Sequence, residues 1–218
     1  MAHVPGSVVR VFVLGIDPGL TRCGYSVVEG HGRRARALAL GVLTTPATDP
    51  LPTRLADLQR DIRALLVEFS PQVVAVERVL FQVNVRTAMS VGQASGIAMA
   101  EAASAGCEVV QYSPNEVKQA VAGYGAATKE QVQVMVQTLL GLATLPQPAD
   151  AADAAALALT HLAVATSLTA SSLDAASPAS PASPAAAARM APRSGAGQVK
   201  NAVGRTQRPA QSLPGAPR

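Results

Sequence analysis

The chain has only two cysteines, Cys23 and Cys107, in 218 residues. That scarcity argues against a disulfide framework and reads both as small core residues. No stretch offers about 18 uninterrupted apolar residues, so nothing reads as a membrane-spanning helix. The opening MAHVPGSVVRV lacks the basic segment, apolar core and small-residue cleavage site of an export signal. A cytoplasmic protein is expected. From about residue 166 onward large apolar side chains almost disappear, leaving SPASPASPAAAARMAPRSGAGQVKNAVGRTQRPAQSLPGAPR. Such a composition cannot bury enough surface to offset the entropy of ordering. It predicts a disordered basic tail over 166–218 behind one domain at 1–165.

Acids are scarce in that tail as well. Residues 166–218 hold six Lys and Arg against one acid, whereas residues 1–165 hold 12 against 13. The net charge of +4 and the pI near 9.5 therefore belong to the tail, which offers weak, salt-sensitive attraction to phosphate. They do not mark a basic face on the domain.

What is present is an alternation of buried strands and amphipathic helices. VVRVFVLGI (8–16) is a β-branched apolar run, the pattern of a central strand covered on both faces. Pro18-Gly19 turns the chain, and GYSVVEG and ARALALGVLTT continue as two further strands of an antiparallel meander. Apolar residues at 51, 55, 58, 62, 65, 66 and 69 fall at helical spacing, and Ser70-Pro71 ends that helix. VVAVE (73–77) is a short buried strand. A small-residue helix over roughly 84–105, a strand at CEVVQYS, a helix opened by Pro114, another at TKEQVQVMVQTLLGL and a last one from Asp150 complete the order. The expected fold is α/β, a five-stranded mixed sheet flanked by helices.

Two of these strands end on a carboxylate, Asp17 and Glu77. In an open α/β sheet the carboxyl ends of adjacent central strands border the crevice where ligands bind. Asp150 and Asp153 stand at i and i+3 on the last helix and share a face. Each has a bland reading: Asp150 as a helix N-cap, Glu77 paired with Arg78 or Arg86, Asp17 capping its own turn. All three together, each at the edge where chemistry is expected, are far less probable than one converging cluster. Crowded carboxylates need a cation. An all-oxygen set without His or Cys favours Mg²⁺ or Mn²⁺ over Zn²⁺, and two such ions about 4 Å apart can drive an in-line phosphoryl displacement. Carboxylate count alone does not choose between one ion and two.

The segments GIDPGLTRCGYSVV, VVAVERVLF, VGQASGIAMA, EVKQAVAGYGAATKEQVQ and PADAADAAALALTH occur in the order found in RuvC Holliday-junction resolvases, and the chain resembles that family over residues 10–165. The resemblance implies a ribonuclease H-like fold and a homodimer with two active sites. It also implies Mg²⁺-dependent paired nicking of four-way DNA junctions, the RuvA-RuvB branch-migration complex as partner, and no membrane. It assigns the four catalytic, metal-holding acids to Asp17, Glu77, Asp150 and Asp153, and two phosphate-contacting lysines to Lys118 and Lys129. One departure stands out. The family carries an aromatic residue three positions after the catalytic Glu, where this chain has Leu80 followed by Phe81; either is the candidate DNA contact. His161, eight residues beyond Asp153, lies about 12 Å along the helix and reads as structural.

Two rivals remain at this level. A phosphotransferase or ATPase of the actin and sugar-kinase type shares the strand-Asp-Gly opening, but it needs a second phosphate-binding glycine loop that this chain lacks. A non-catalytic junction-binding module has no use for four acids.

Overall fold

Residues 10–32, 34–78 and 85–175 are described in the computed structural model of the chain. They form β1 (Arg10–Asp17), β2 (Arg22–His31), β3 (Arg34–Thr44), α1 (Leu51–Phe69), β4 (Val73–Glu77), α2 (Val85–Ser104), β5 (Glu108–Tyr112), α3 (Pro114–Ala122), α4 (Lys129–Leu140) and α5 (Ala149–Ala175). The sheet order is β3-β2-β1-β4-β5. β2 runs antiparallel to β1 and β3, while β4 runs parallel to β1 and β5. This is the five-stranded mixed sheet that the patterning predicts.

Strand alternation explains why the central runs are apolar throughout. Val13, Val73 and Ala75 enter one core, shared with Val121 of α3, Val132 and Val136 of α4 and Leu157 of α5. Their neighbours Leu14, Val74 and Val76 enter the other, shared with Leu58 and Ile62 of α1 and Ala94 and Ala98 of α2. With helices on both faces, neither face of β1 or β4 can be polar. α1 buries Leu58, Ile62, Leu65 and Leu66 and ends on Ser70 in the left-handed conformation, φ 43°. Across the α1–α2 contact, Arg63 grips Glu101 with two bonds of 2.8 and 2.9 Å, which holds the Glu101 carboxyl below the usual carboxylate range.

On α2, Ala94, Ala98 and Ala102 are buried, whereas a Cβ added at Gly92 or Gly96 would meet nothing within 4 Å among the described residues. Alanine has just the bulk this close helix–sheet contact accepts, so the glycines are left on the outer face. α5 runs to Ala175, ten residues past the expected domain end at 165. Residues 166–175 contain neither Pro nor Gly, and nothing in the backbone chemistry stops the helix before the proline at 178. The rest of the expected tail, 176–218, lies outside the described residues, as do Leu80 and Phe81. No helix among the described residues is long and apolar enough to cross a membrane.

Candidate active site

Register places the first two acids. Ile16 of β1 pairs with Val76 of β4 in parallel, so Asp17 and Glu77, one residue further on, emerge side by side at the carboxyl edge of the two central strands. Glu77 in turn pairs with Tyr112 at the end of β5. Two residues later α3 begins, with Ser113 as its N-cap in a capping box with Glu116.

The other two acids depend on glycine. A Cβ on Gly24 would overlap the carbonyl oxygen of Asp150, and one on Gly15 would overlap that of Ala154. Gly24 is the β2 partner of Asp17. Only a strand lacking side chains at these two points lets the α5 backbone lie directly on β1 and β2, and this close approach brings the first turn of α5 to Asp17. Position 150 is the second residue of α5, where the helix dipole favours an acid.

Asp17, Glu77 and Asp153 line one cavity of about 370 Å³ together with Lys118 of α3 and Lys129 of α4. Lys129 is the first residue of α4, fixed there by Thr128 in a capping box with Gln131. Its Nζ stands 2.6 Å from Asp153 Oδ2. Asp150 is turned to the rim, where Arg22 places Nε at 3.0 Å and Nη2 at 2.7 Å from Asp150 Oδ2. Arg78 does not pair with Glu77: its Nη2 donates to the Gln111 carbonyl, 3.1 Å, and its Nη1 lies 3.7 Å from Glu116. His161 bonds Tyr112 Oη through Nδ1 at 3.0 Å, a structural pairing.

Electrostatics separates the acids. Burial first, then the charges of Glu77 and Asp153, push Asp17 up to about 8. Burial and Asp153 raise Glu77 too, eased by a hydrogen bond with Asp17 and by Lys129. The strand-end pair therefore shares a proton at neutral pH. Lys129 is held above its ordinary value by its hydrogen bond to Asp153.

Among the described residues no three His, Cys, Asp or Glu side chains stand together at metal-binding spacing, and Asp150 and Asp153 are each engaged by a cation of the chain itself. The donor set still fits a hard divalent ion. It is all carboxylate oxygen, burial and then the neighbouring acids make Asp17 hold a proton well above the carboxylate range, and an ammonium nitrogen already sits at bonding distance from Asp153.

Residues 13–161 match the family model described as crossover junction endodeoxyribonuclease RuvC. The chain belongs to the RuvC family. A curated relative from Syntrophomonas wolfei, crossover junction endodeoxyribonuclease RuvC, is 48% identical over 64% of this chain and 81% of its own length. One from Chloroflexus aggregans with the same description is 51% identical over 64% and 85%. The solved structure of Thermus thermophilus RuvC in complex with Holliday junction substrate is 40% identical, covers 73% of this chain and 97% of that one, and superposes with a TM-score of 0.70. The ribonuclease H-like fold and an endonuclease activity follow from membership, and the kinase and non-catalytic readings are disfavoured.

Arg22 is the site residue that sequence reading misses. Its partner lies 128 positions away, so no local pattern signals it.

Proposed function

We propose that this chain resolves four-way DNA junctions during recombination and repair by hydrolysing phosphodiester bonds at Asp17, Glu77, Asp150 and Asp153. The observation that carries the reading is the side-by-side emergence of Asp17 and Glu77 from parallel β1 and β4 into a cavity shared with Asp153 and two lysines. These four acids would hold divalent cations, Mg²⁺ or Mn²⁺ and two per site; when bound, these polarise the phosphodiester and activate water. Asp17 and Glu77 give up their shared proton as positive charge enters the cavity. Lys118 and Lys129 supply cationic partners for phosphate oxygens, with Lys129 also limiting repulsion on Asp153. Leu80 and Phe81, three and four residues after Glu77, are the proposed contacts to opened junction bases.

One chain carries one acid cluster, and two symmetric strands must be cut, so the protein works as a homodimer. The outer face of α2 supports this reading: a Cβ added at Gly92 or Gly96 would meet nothing within 4 Å among the described residues, and Met89 beside them is 62% exposed. The tail beyond Ala175 adds sequence-independent attraction to DNA, the protein acts in the cytoplasm, and RuvA-RuvB is the partner assembly. Incubation of the purified protein with synthetic four-way junctions, with and without Mg²⁺, tests the activity. Paired symmetric nicks that require the metal are expected; equal cutting of linear duplex, or none in Mg²⁺, would refute it.

A further inference from the structure

We propose that Arg22 guards Asp150: its guanidinium holds this carboxylate until a DNA phosphate takes the guanidinium away, and only then is Asp150 released to the divalent cation. The proposal rests on the reading of the four acids as the cation site. Both Arg22 contacts, 3.0 and 2.7 Å, fall on the same oxygen, Asp150 Oδ2, so a cation that needs this oxygen must compete with the chain's own charge.

The geometry lets the guanidinium leave while the acid stays. Arg22 is half-exposed, at 49%, on the rim. The segment before it is braced by two bonds to its backbone carbonyls and by Arg54 on the hydroxyls of Thr45 and Thr21. Thr45 donates its N–H to the Thr21 carbonyl (3.2 Å) and its hydroxyl to the Leu20 carbonyl (2.5 Å). Arg54 of α1 donates Nε to Thr45 Oγ1 (3.0 Å) and Nη2 to Thr21 Oγ1 (2.7 Å). These bonds anchor the chain just before Arg22, while its own guanidinium is held only by Asp150. The backbone of Asp150 is held in place by its carbonyl oxygen, which lies close against Gly24.

The bracing residue supplies the attraction. Among the described residues Arg54 has hydroxyl partners but no carboxylate one, which places a second guanidinium beside the start of β2 that bears Arg22. A phosphodiester approaching this rim meets Arg54 first and then competes with Asp150 for Arg22. Guanidinium binds phosphate by the same two-point geometry as carboxylate, and a half-exposed ion pair is weak enough to exchange. Substrate and cation then strengthen each other's binding by one factor. Lys129 on Asp153, 2.6 Å, repeats the arrangement on the cavity side.

The test measures Ca²⁺ binding to the full chain by calorimetry, alone and with a four-way junction. For the wild type, the junction should tighten Ca²⁺ binding. Arg22→Gln should bind Ca²⁺ about fivefold more tightly without DNA and lose most of the gain on adding the junction, fivefold being the low end of ordinary coupling between sites. Arg22→Lys, which keeps the charge, should restore the weak DNA-free affinity. Arg34→Gln, at the opposite end of the β2–β3 ladder, should change neither quantity. If Arg22→Gln leaves the DNA-free affinity unchanged or weaker, or keeps the full junction-induced gain, the guard is refuted. Failure of the underlying reading looks different: Asp17→Asn would then bind Ca²⁺ as the wild type does.

Discussion

The two pairs of acids at this site handle like-charge repulsion in opposite ways. Asp17 and Glu77, at strand ends, relieve it with a proton that burial favours first, and Asp17 is pushed up to about 8. Asp150 and Asp153, on the first turns of a helix, relieve it with Arg22 and Lys129 at 2.7 and 2.6 Å. The lesson is about reach. Adjacent parallel strands force their terminal side chains together, with Lys129 near enough only to ease Glu77, while a helix end is open to direct ion pairs with Arg and Lys from β2 and α4.

The strand-end pair should be the more costly to alter for activity and the less costly for folding. Asp17→Asn is expected to lower junction cleavage by roughly a thousandfold, the equivalent of about 4 kcal/mol of lost transition-state stabilisation, while chemical denaturation of the metal-free protein at pH 8 shows it more stable than wild type. Reduced stability there would contradict the assigned burden on Asp17.

The helix pair depends on how α5 lies on the sheet. Gly15→Val should cost about 1–3 kcal/mol from overpacking and lower cleavage, because its side chain runs into the Ala154 carbonyl and the Ser26 hydroxyl. Unchanged stability, read from denaturant midpoints, would mean that α5 does not need this approach.

Titration separates the pairs next. In the metal-free protein, unfolded Asp17 loses its proton near its ordinary 3.8, whereas folded Asp17 keeps it to about 8. The folded state then binds more protons, so stability should fall as pH rises from 4 to 8, by at most about 1.4 kcal/mol per pH unit per proton, and level off above. Asp17→Asn should flatten that decline, as followed by urea denaturation across the window. A wild-type profile that rises with pH would reverse the assignment.

The smallest effect concerns the dimer. Gly96→Leu should leave the monomer's melting temperature nearly unchanged, since a Cβ there would meet nothing within 4 Å among the described residues. Sedimentation should show monomer, with single rather than paired nicks. An unchanged dimer would remove this face from the interface.

What the sequence made legible follows the same division. Asp17 and Glu77 could be read directly, since an apolar run closed by a carboxylate is visible in VFVLGID and VVAVE and strand adjacency follows from the fold class. Asp150 and Asp153 were legible as a helical pair. The partners of these acids were not: Arg22 reaches Asp150 across 128 positions, a tertiary contact that no local pattern carries. The roles of Gly15 and Gly24 as a seat for α5 were hidden for the same reason. The orientation of α2 was ambiguous because alanine and glycine both permit close approach, and only packing chose alanine for the core. The end of α5 was misjudged because composition weighed the whole tail at once, whereas helices stop at particular residues.

The central claim is that this cluster of acids cuts DNA, and parallel assays of binding and nicking of a four-way junction in Mg²⁺ by wild type, Asp17→Asn and Asp153→Asn test it most directly. The account predicts that both variants bind the junction as the wild type does and leave it uncut. Near-normal nicking by either variant would contradict it.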